Sequence, residues 1–200
     1  YRCVLEREGF RIAEIDASYR FEGEADFFAA GDVHLLTHGR VEKQRFVPAL
    51  GIPPWKRVYG FRTDVRVRPI LEAAVAPRPV VAIGLVLEAH YHGDTALCAF
   101  GPGREHLLVY REALELAGWD LLRATFGDRL LALGESDARR YAANSFTYTP
   151  DHDPGAPGES FLVMPGGVSE RLQAQVRERG VTPICVDVSE FLKKGGGSVK

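Results

Sequence analysis

The sequence predicts an α/β fold in which a strand–strand–helix–strand unit recurs. Three observations carry this. Residues 79–88 are almost purely apolar and rich in Val and Ile, the pattern of a buried strand. Gly101-Pro102-Gly103-Arg104 separates two apolar runs and marks a hairpin turn. Val168, Leu172 and Val176 fall on one face of a helix, with Glu170, Arg177 and Glu178 elsewhere and Gly180 as its stop.

In chain order, residues 4–8 read as the end of a helix stopped by Gly9, and residues 11–15 as a strand. Residues 31–36 and 57–60 read as strands. Between them residues 41–56 hold Pro48, Gly51, Pro53 and Pro54, which predicts an irregular excursion. A short helix is expected over 67–75 and the buried strand over 79–88. The hairpin pairs 94–100 with 106–110, followed by a helix over 112–126, a strand over 129–133 and a short helix over 137–143. Asp151, Asp153, Pro154 and Pro157 make 148–158 a mobile loop. Strands at 160–164 and 184–188 flank the amphipathic helix over 168–179, and Ser189 caps a last helix over 190–194. Residues 79–133 are the best instance of the repeating unit, and no residue-level repeat stands out.

The 200 residues are 46% hydrophobic, enough for one sizeable core, so residues 1–200 are treated as a single domain. A net charge of -2 gives no electrostatic reason to expect nucleic acid as a partner. No apolar run approaches the ~20 residues that span a bilayer, so a membrane is not an expected partner either. Three widely spaced cysteines, Cys3, Cys98 and Cys185, speak against a disulfide framework and for the cytoplasm. The first residue is not Met, and Gly195-Gly196-Gly197-Ser198 follows a helix directly, so a piece of a longer protein is expected. Oligomeric state stays open, a homodimer among the options.

The chemistry concentrates in three segments. His92, at a strand end two residues from Asp94, has the makings of a general acid/base, because a nearby carboxylate favours imidazolium. Glu22, Glu24 and Asp26, flanked by Phe21, Phe27 and Phe28, have the charge and geometry to hold a planar guanidinium. Arg62 is suited to grip a carboxylate, such as that of an amino acid. Each has a plain structural alternative: a hydrogen-bonded His, a turn Asp, a solvated acidic run, a surface pair of Arg62 with Asp64. Cys98 shares the strand and, by parity, the face of His92 and Asp94, but apolar neighbours make it an inert buried thiol, and Cys185 reads as core. His90, His92 and Asp94 also match the His-x-His-x-Asp spacing of binuclear metallohydrolases. That reading lacks the further ligands a metal site needs, and no metal is expected.

Taken in order, Phe21-Glu22-Gly23 with Asp26, Tyr59-Gly60-Phe61-Arg62-Thr63, Tyr91-His92-Gly93-Asp94-Thr95, Ala142-Ala143-Asn144, Met164-Pro165 with Gly167-Val168, and Ser189-Glu190-Phe191-Leu192-Lys193 with Gly195-Gly196-Gly197 form a set. In this set the chain resembles the guanidino-group-modifying, or pentein, superfamily of dimethylargininases, arginine deiminases and amidinotransferases. Ala25 stands where the family motif has Gly. The resemblance implies an α/β propeller of five ββαβ modules, of which the first ones and the C-terminal end are not in this chain. It implies that Glu22 and His92 are catalytic and that Arg62, Asp94 and Asp26 bind substrate. It implies a nucleophilic Cys just after Lys200, which attacks the guanidinium carbon of arginine or a methylated arginine, with no cofactor. Amidino transfer and a non-catalytic guanidino binder are the alternatives on the same fold. Asp94 favours a guanidinium with free nitrogens, and Arg62 a ligand with an α-carboxylate.

Overall fold

In the computed structural model, which describes residues 1–10, 12, 18–40, 45–48, 55–58, 60–150, 159–192 and 198–200, one ββαβ pattern occurs three times. After helix α1 (Arg2–Arg7), the first unit comprises β1 (Phe27–Ala30), β2 (Val33–His38), an inserted hairpin β3 (Arg45–Pro48) and β4 (Trp55–Val58), α2 (Arg68–Val75) and β5 (Val80–Gly84). The second comprises β6 (Leu97–Phe100), β7 (His106–Val109), α3 (Leu116–Phe126) and β8 (Leu130–Ala132). Following α4 (Glu135–Ala138), the third comprises β9 (Phe146–Tyr148), β10 (Ser160–Pro165), α5 (Glu170–Arg177) and β11 (Val181–Val186), and α6 (Ser189–Leu192) ends the order. In each unit the first two strands pair antiparallel and the third lies parallel to the second, across its helix. The sheets are open and three-stranded, in the orders β1-β2-β5, β6-β7-β8 and β11-β10-β9.

These sheets are buried for the reason their apolar runs predict. Leu35 and Leu36 are both fully buried although successive strand residues face opposite ways. Leu35 enters the main core with Ile83, Leu97, Phe100, Leu107 and Leu162, which joins all three sheets. Leu36 packs with Val67, Leu71 and Val80 beneath α2. Full burial of such a side chain contributes roughly 1.5–3 kcal/mol. At α5, Ser169 is the N-cap, its hydroxyl accepting from the Leu172 amide. Among the described residues no helix is long and apolar enough to cross a membrane.

Several elements differ from the sequence reading. The segment expected to be irregular contains the β3–β4 hairpin, paired from Arg45↔Val58 to Pro48↔Trp55. β5 closes the first unit by pairing with β2, so the second unit begins at Leu97 and not at residue 79. The strands β1 and β9 fall where no strand was expected, and the short helix begins at Glu135. Residues 94–96 are not strand: Gly93–Thr95 form a 3-10 turn that delivers the chain into β6. Ser189 is the first residue of α6 and not its cap. Cys185 is exposed and not core, because β11 is an edge strand with only Val181 buried. The strand expected at 11–15 falls largely outside the described residues, as do most of the loop expected at 148–158 and residues 193–194 of the last helix.

Candidate active site

Two equivalent turns build the site. Gly23–Ala25 and Gly93–Thr95 are both 3-10 turns, each two residues ahead of the first strand of its unit. The match is residue by residue at an offset of 70: Glu22-Gly23-Glu24 leads into Phe27–Ala30 as His92-Gly93-Asp94 leads into Leu97–Phe100. The two turns pack against each other. Acidic and imidazole groups from different units are thereby brought to one place.

Asp26 is the hub. Its side chain is 1% exposed. Oδ1 accepts from Thr37 Oγ1 at 2.9 Å and from the Gly93 amide at 2.8 Å. Oδ2 accepts from Thr63 Oγ1 at 2.5 Å and faces His92 Nδ1 at 3.3 Å. Hydrogen bonds to a charged acceptor contribute roughly 1.5–3 kcal/mol each, which offsets the desolvation of this buried carboxylate. A substrate contact was expected of Asp26. With both oxygens engaged by protein donors, it stands behind His92 instead. The imidazole partner is thus Asp26, from another unit, and not the adjacent Asp94.

His92 itself is 15% exposed. Its Nδ1–H points at a carboxylate that only accepts, so the neutral ring leaves Nε2 as the basic nitrogen. The absence of a side chain at Gly93 is required here. A Cβ would lie 2.1 Å from Thr37 Oγ1, the hydroxyl that holds Asp26.

Glu22 and Arg62 lie beside this pair. The Glu22 amide donates to Thr63 Oγ1 at 3.2 Å, and Arg62 Nη1 stands 4.0 Å from Glu22 Oε2. Arg62 therefore approaches Glu22, while Asp64 binds Arg66. The Arg62 guanidinium lies over the Tyr91 ring at 5.2 Å, and Tyr91 meets the His92 ring at 4.5 Å between centroids.

On the other side, burial pushes the Asp94 carboxyl up to about 6, with Lys200 and His92 pulling down and Asp26 and Glu24 pushing up. The Asp94 carbonyl accepts from Asn144 Nδ2 at 3.4 Å. Asn144 also takes the Ser198 amide on Oδ1 at 2.7 Å and the Val199 amide on its carbonyl at 3.2 Å. Lys200 Nζ reaches Glu24 Oε1 at 3.4 Å and lies over the Phe28 ring. A cavity of about 30 Å³, room for a water, is lined by Glu24, Cys98, Ser145 and Lys200 among others.

Glu22, Arg62, His92, Asp94 and Asp26 are therefore brought together, and the arrangement can hold a cation between carboxylates while an imidazole moves protons. Cys98 stands on β6, apart from the turn that carries His92 and Asp94. It is buried, its thiol donates to the Ser145 carbonyl at 3.5 Å, and burial pushes it up to about 11, which makes it a poor nucleophile. His90 does not join a metal site. It is buried, donates Nδ1–H to the Thr95 carbonyl at 3.0 Å, and packs against Tyr110 and Tyr141. Among the described residues no group of three or more His, Cys, Asp or Glu could hold a metal ion. Thr63, Tyr91 and Asn144 stood within the quoted motifs but were given no role of their own, and neither Thr37 nor the Lys200 side chain was given one.

No protein-family model matches the chain. The chain is 36% identical over 143 residues to N(G),N(G)-dimethylarginine dimethylaminohydrolase of Mycobacterium tuberculosis, which covers 71% of this chain and 42% of that protein. It is 24% identical over 200 residues to the bifunctional arginine dihydrolase/ornithine cyclodeaminase ArgZ of Synechocystis, covering 99% of this chain and 24% of ArgZ. The chain thus spans less than half the length of either curated relative. Among solved structures, the N-terminal domain of ArgZ, an arginine dihydrolase from cyanobacteria crystallised as a mutant with its substrate, superposes with a TM-score of 0.71 at 22% identity. That match covers 98% of this chain and 60% of that one. The homologues are a dimethylarginine dimethylaminohydrolase and an arginine dihydrolase, and the chain shares the fold of the latter, which is consistent with the guanidino-group-modifying, or pentein, superfamily.

Proposed function

We propose that this site serves a Cys-dependent amidine hydrolase acting on arginine or a methylated arginine. The supporting observation is a chain of contacts that links the four residues: Arg62 stands beside Glu22 and over the Tyr91 ring, Tyr91 packs against His92, and Asp94 is within electrostatic reach of His92. In this reading Arg62 grips the substrate α-carboxylate, and Glu22 and Asp94 orient the guanidinium and balance its charge. A guanidinium is resonance-stabilised and resists direct attack by water. The nucleophile is a Cys at the position following Lys200. Its approach is supported by Asn144, which holds the backbone of Ser198 and Val199 beside the Asp94 turn.

The Cys thiol gives its proton to Nε2 of His92, and the resulting thiolate adds to the guanidinium carbon. The C–N bond to the leaving group breaks as His92 gives that nitrogen a proton, releasing ammonia or an amine. His92 then takes a proton from water, whose oxygen adds to the thiouronium carbon. The C–S bond breaks to return the thiolate, the hydroxyl proton passes to solvent or to the released ammonia or amine, and citrulline is left. No step draws on a cofactor. The test is an assay of the protein extended beyond Lys200, with arginine, Nω,Nω-dimethylarginine and agmatine. Citrulline with stoichiometric ammonia or dimethylamine, and no need for an amine acceptor, is the expected result. Turnover only with an acceptor amine would replace hydrolysis by amidino transfer.

A further inference from the structure

We propose that Thr63 is a positioning residue that locks the carboxylate-gripping Arg62 to the acid/base pair, so that substrate placement and proton transfer are set by one hydroxyl. The assignment rests on the amidine-hydrolase reading of this site.

The geometry is specific to Thr63. A hydroxyl has one proton to give and lone pairs to receive with. Thr63 Oγ1 gives its proton to Asp26 Oδ2 at 2.5 Å, the oxygen that also faces His92 Nδ1. It receives the Glu22 amide at 3.2 Å. The residue is 1% exposed, so water does not stand in for either bond. Its own carbonyl accepts from the Gly39 amide at 3.4 Å, at the end of β2. On the other side of Arg62, the Phe61 ring fills the space a side chain on Gly39 would take, coming within 2.3 Å of that Cβ position. Arg62 therefore sits between two anchored neighbours, and one of them is bonded to both Glu22 and Asp26. Thr37 is the natural contrast. It also donates to Asp26, at Oδ1, but makes no bond to the Glu22 amide or to the Arg62 segment.

Thr63→Val keeps the shape and removes both bonds, the neutral one worth roughly a factor of ten at most and the one to the Asp26 carboxylate roughly a factor of ten or more. In the protein extended beyond Lys200, Thr63→Val is expected to raise KM for arginine about tenfold and to lower kcat about tenfold. Thr37→Val is expected to lower kcat with KM unchanged, and Thr63→Ser to restore both constants. Amide exchange supplies a readout that needs no turnover: the Glu22 N–H exchanges about tenfold faster in Thr63→Val and at the wild-type rate in Thr37→Val and Thr63→Ser. Thr63→Ala replaces Thr63→Val if the latter does not fold. The proposal is overturned if Thr63→Val changes kcat alone, if Thr63→Ser behaves like Thr63→Val, or if Glu22 exchange is unmoved. A wild-type protein that binds arginine without turning it over removes the hydrolase reading. The exchange rates and the arginine affinity of the three variants then decide the tether by themselves.

Discussion

Asp94 is the residue whose charge costs the fold most where the proposed ligand needs it. Its carboxyl is raised from 3.8 to about 6, chiefly by burial. A raised carboxyl means that the folded chain holds a proton the unfolded chain has already lost. The stability this provides is complete below about pH 4, declines as pH rises through about 6, and is gone above it. A shift of about two pH units corresponds to about 3 kcal/mol. Partial exposure of the side chain brings the expected value to about 1–3 kcal/mol. Asp94→Asn removes the titration and keeps the shape. Urea denaturation should find Asp94→Asn more stable than wild type by that amount at pH 7.5, with the difference shrinking to near zero at pH 4. Comparing the two proteins at each pH cancels the other carboxylates. An equal difference at both pH values, or a less stable Asp94→Asn at pH 7.5, would refute the argument. The same buried charge is what a guanidinium would neutralise, so arginine affinity should rise as pH increases through about 6 in wild type and stay flat in Asp94→Asn.

Other consequences follow from single contacts. Gly93→Ala places a methyl against Thr37 and should cost about 1–3 kcal/mol in denaturant unfolding; a change within 0.5 kcal/mol would mean that the turn gives way freely. Asp26→Asn exchanges an all-acceptor group for one with a donor edge facing Thr63 and His92, and should cost about 2–4 kcal/mol together with a loss of turnover. A stable and fully active Asp26→Asn would remove Asp26 from its place behind His92. In the 200-residue chain a thiol reagent at pH 8 should titrate Cys3 and Cys185 in the native state and reach Cys98 only in denaturant.

Local patterns carried much of the fold. The Val- and Ile-rich run became β5, the Gly-Pro-Gly-Arg turn joined β6 to β7, and the stripe of Val168, Leu172 and Val176 became the buried face around α5. What escaped is set by distant contacts. β1 and β9 are four and three residues long, too short to show a period, and exist because β2 and β10 offer them an edge. Residues 94–96 were expected to open a strand, but the Gly93 amide is held by Asp26 and Thr37 packs close against Gly93, and the chain turns there instead. The candidate residues were legible as types, a proton carrier among carboxylates with an Arg nearby. Their wiring was not: His92 pairs with a carboxylate 66 positions away, and the hydroxyls that orient it come from Thr37 and Thr63.

Amide-shift mapping of the 200-residue chain by NMR, on titration with L-arginine, addresses the cation site most directly. Shifts should gather on residues 22–26, 60–63 and 91–96, saturate together with one affinity, and spare α3. Shifts confined to other surfaces, or none at millimolar arginine, would mean that these side chains meet without forming a guanidinium site.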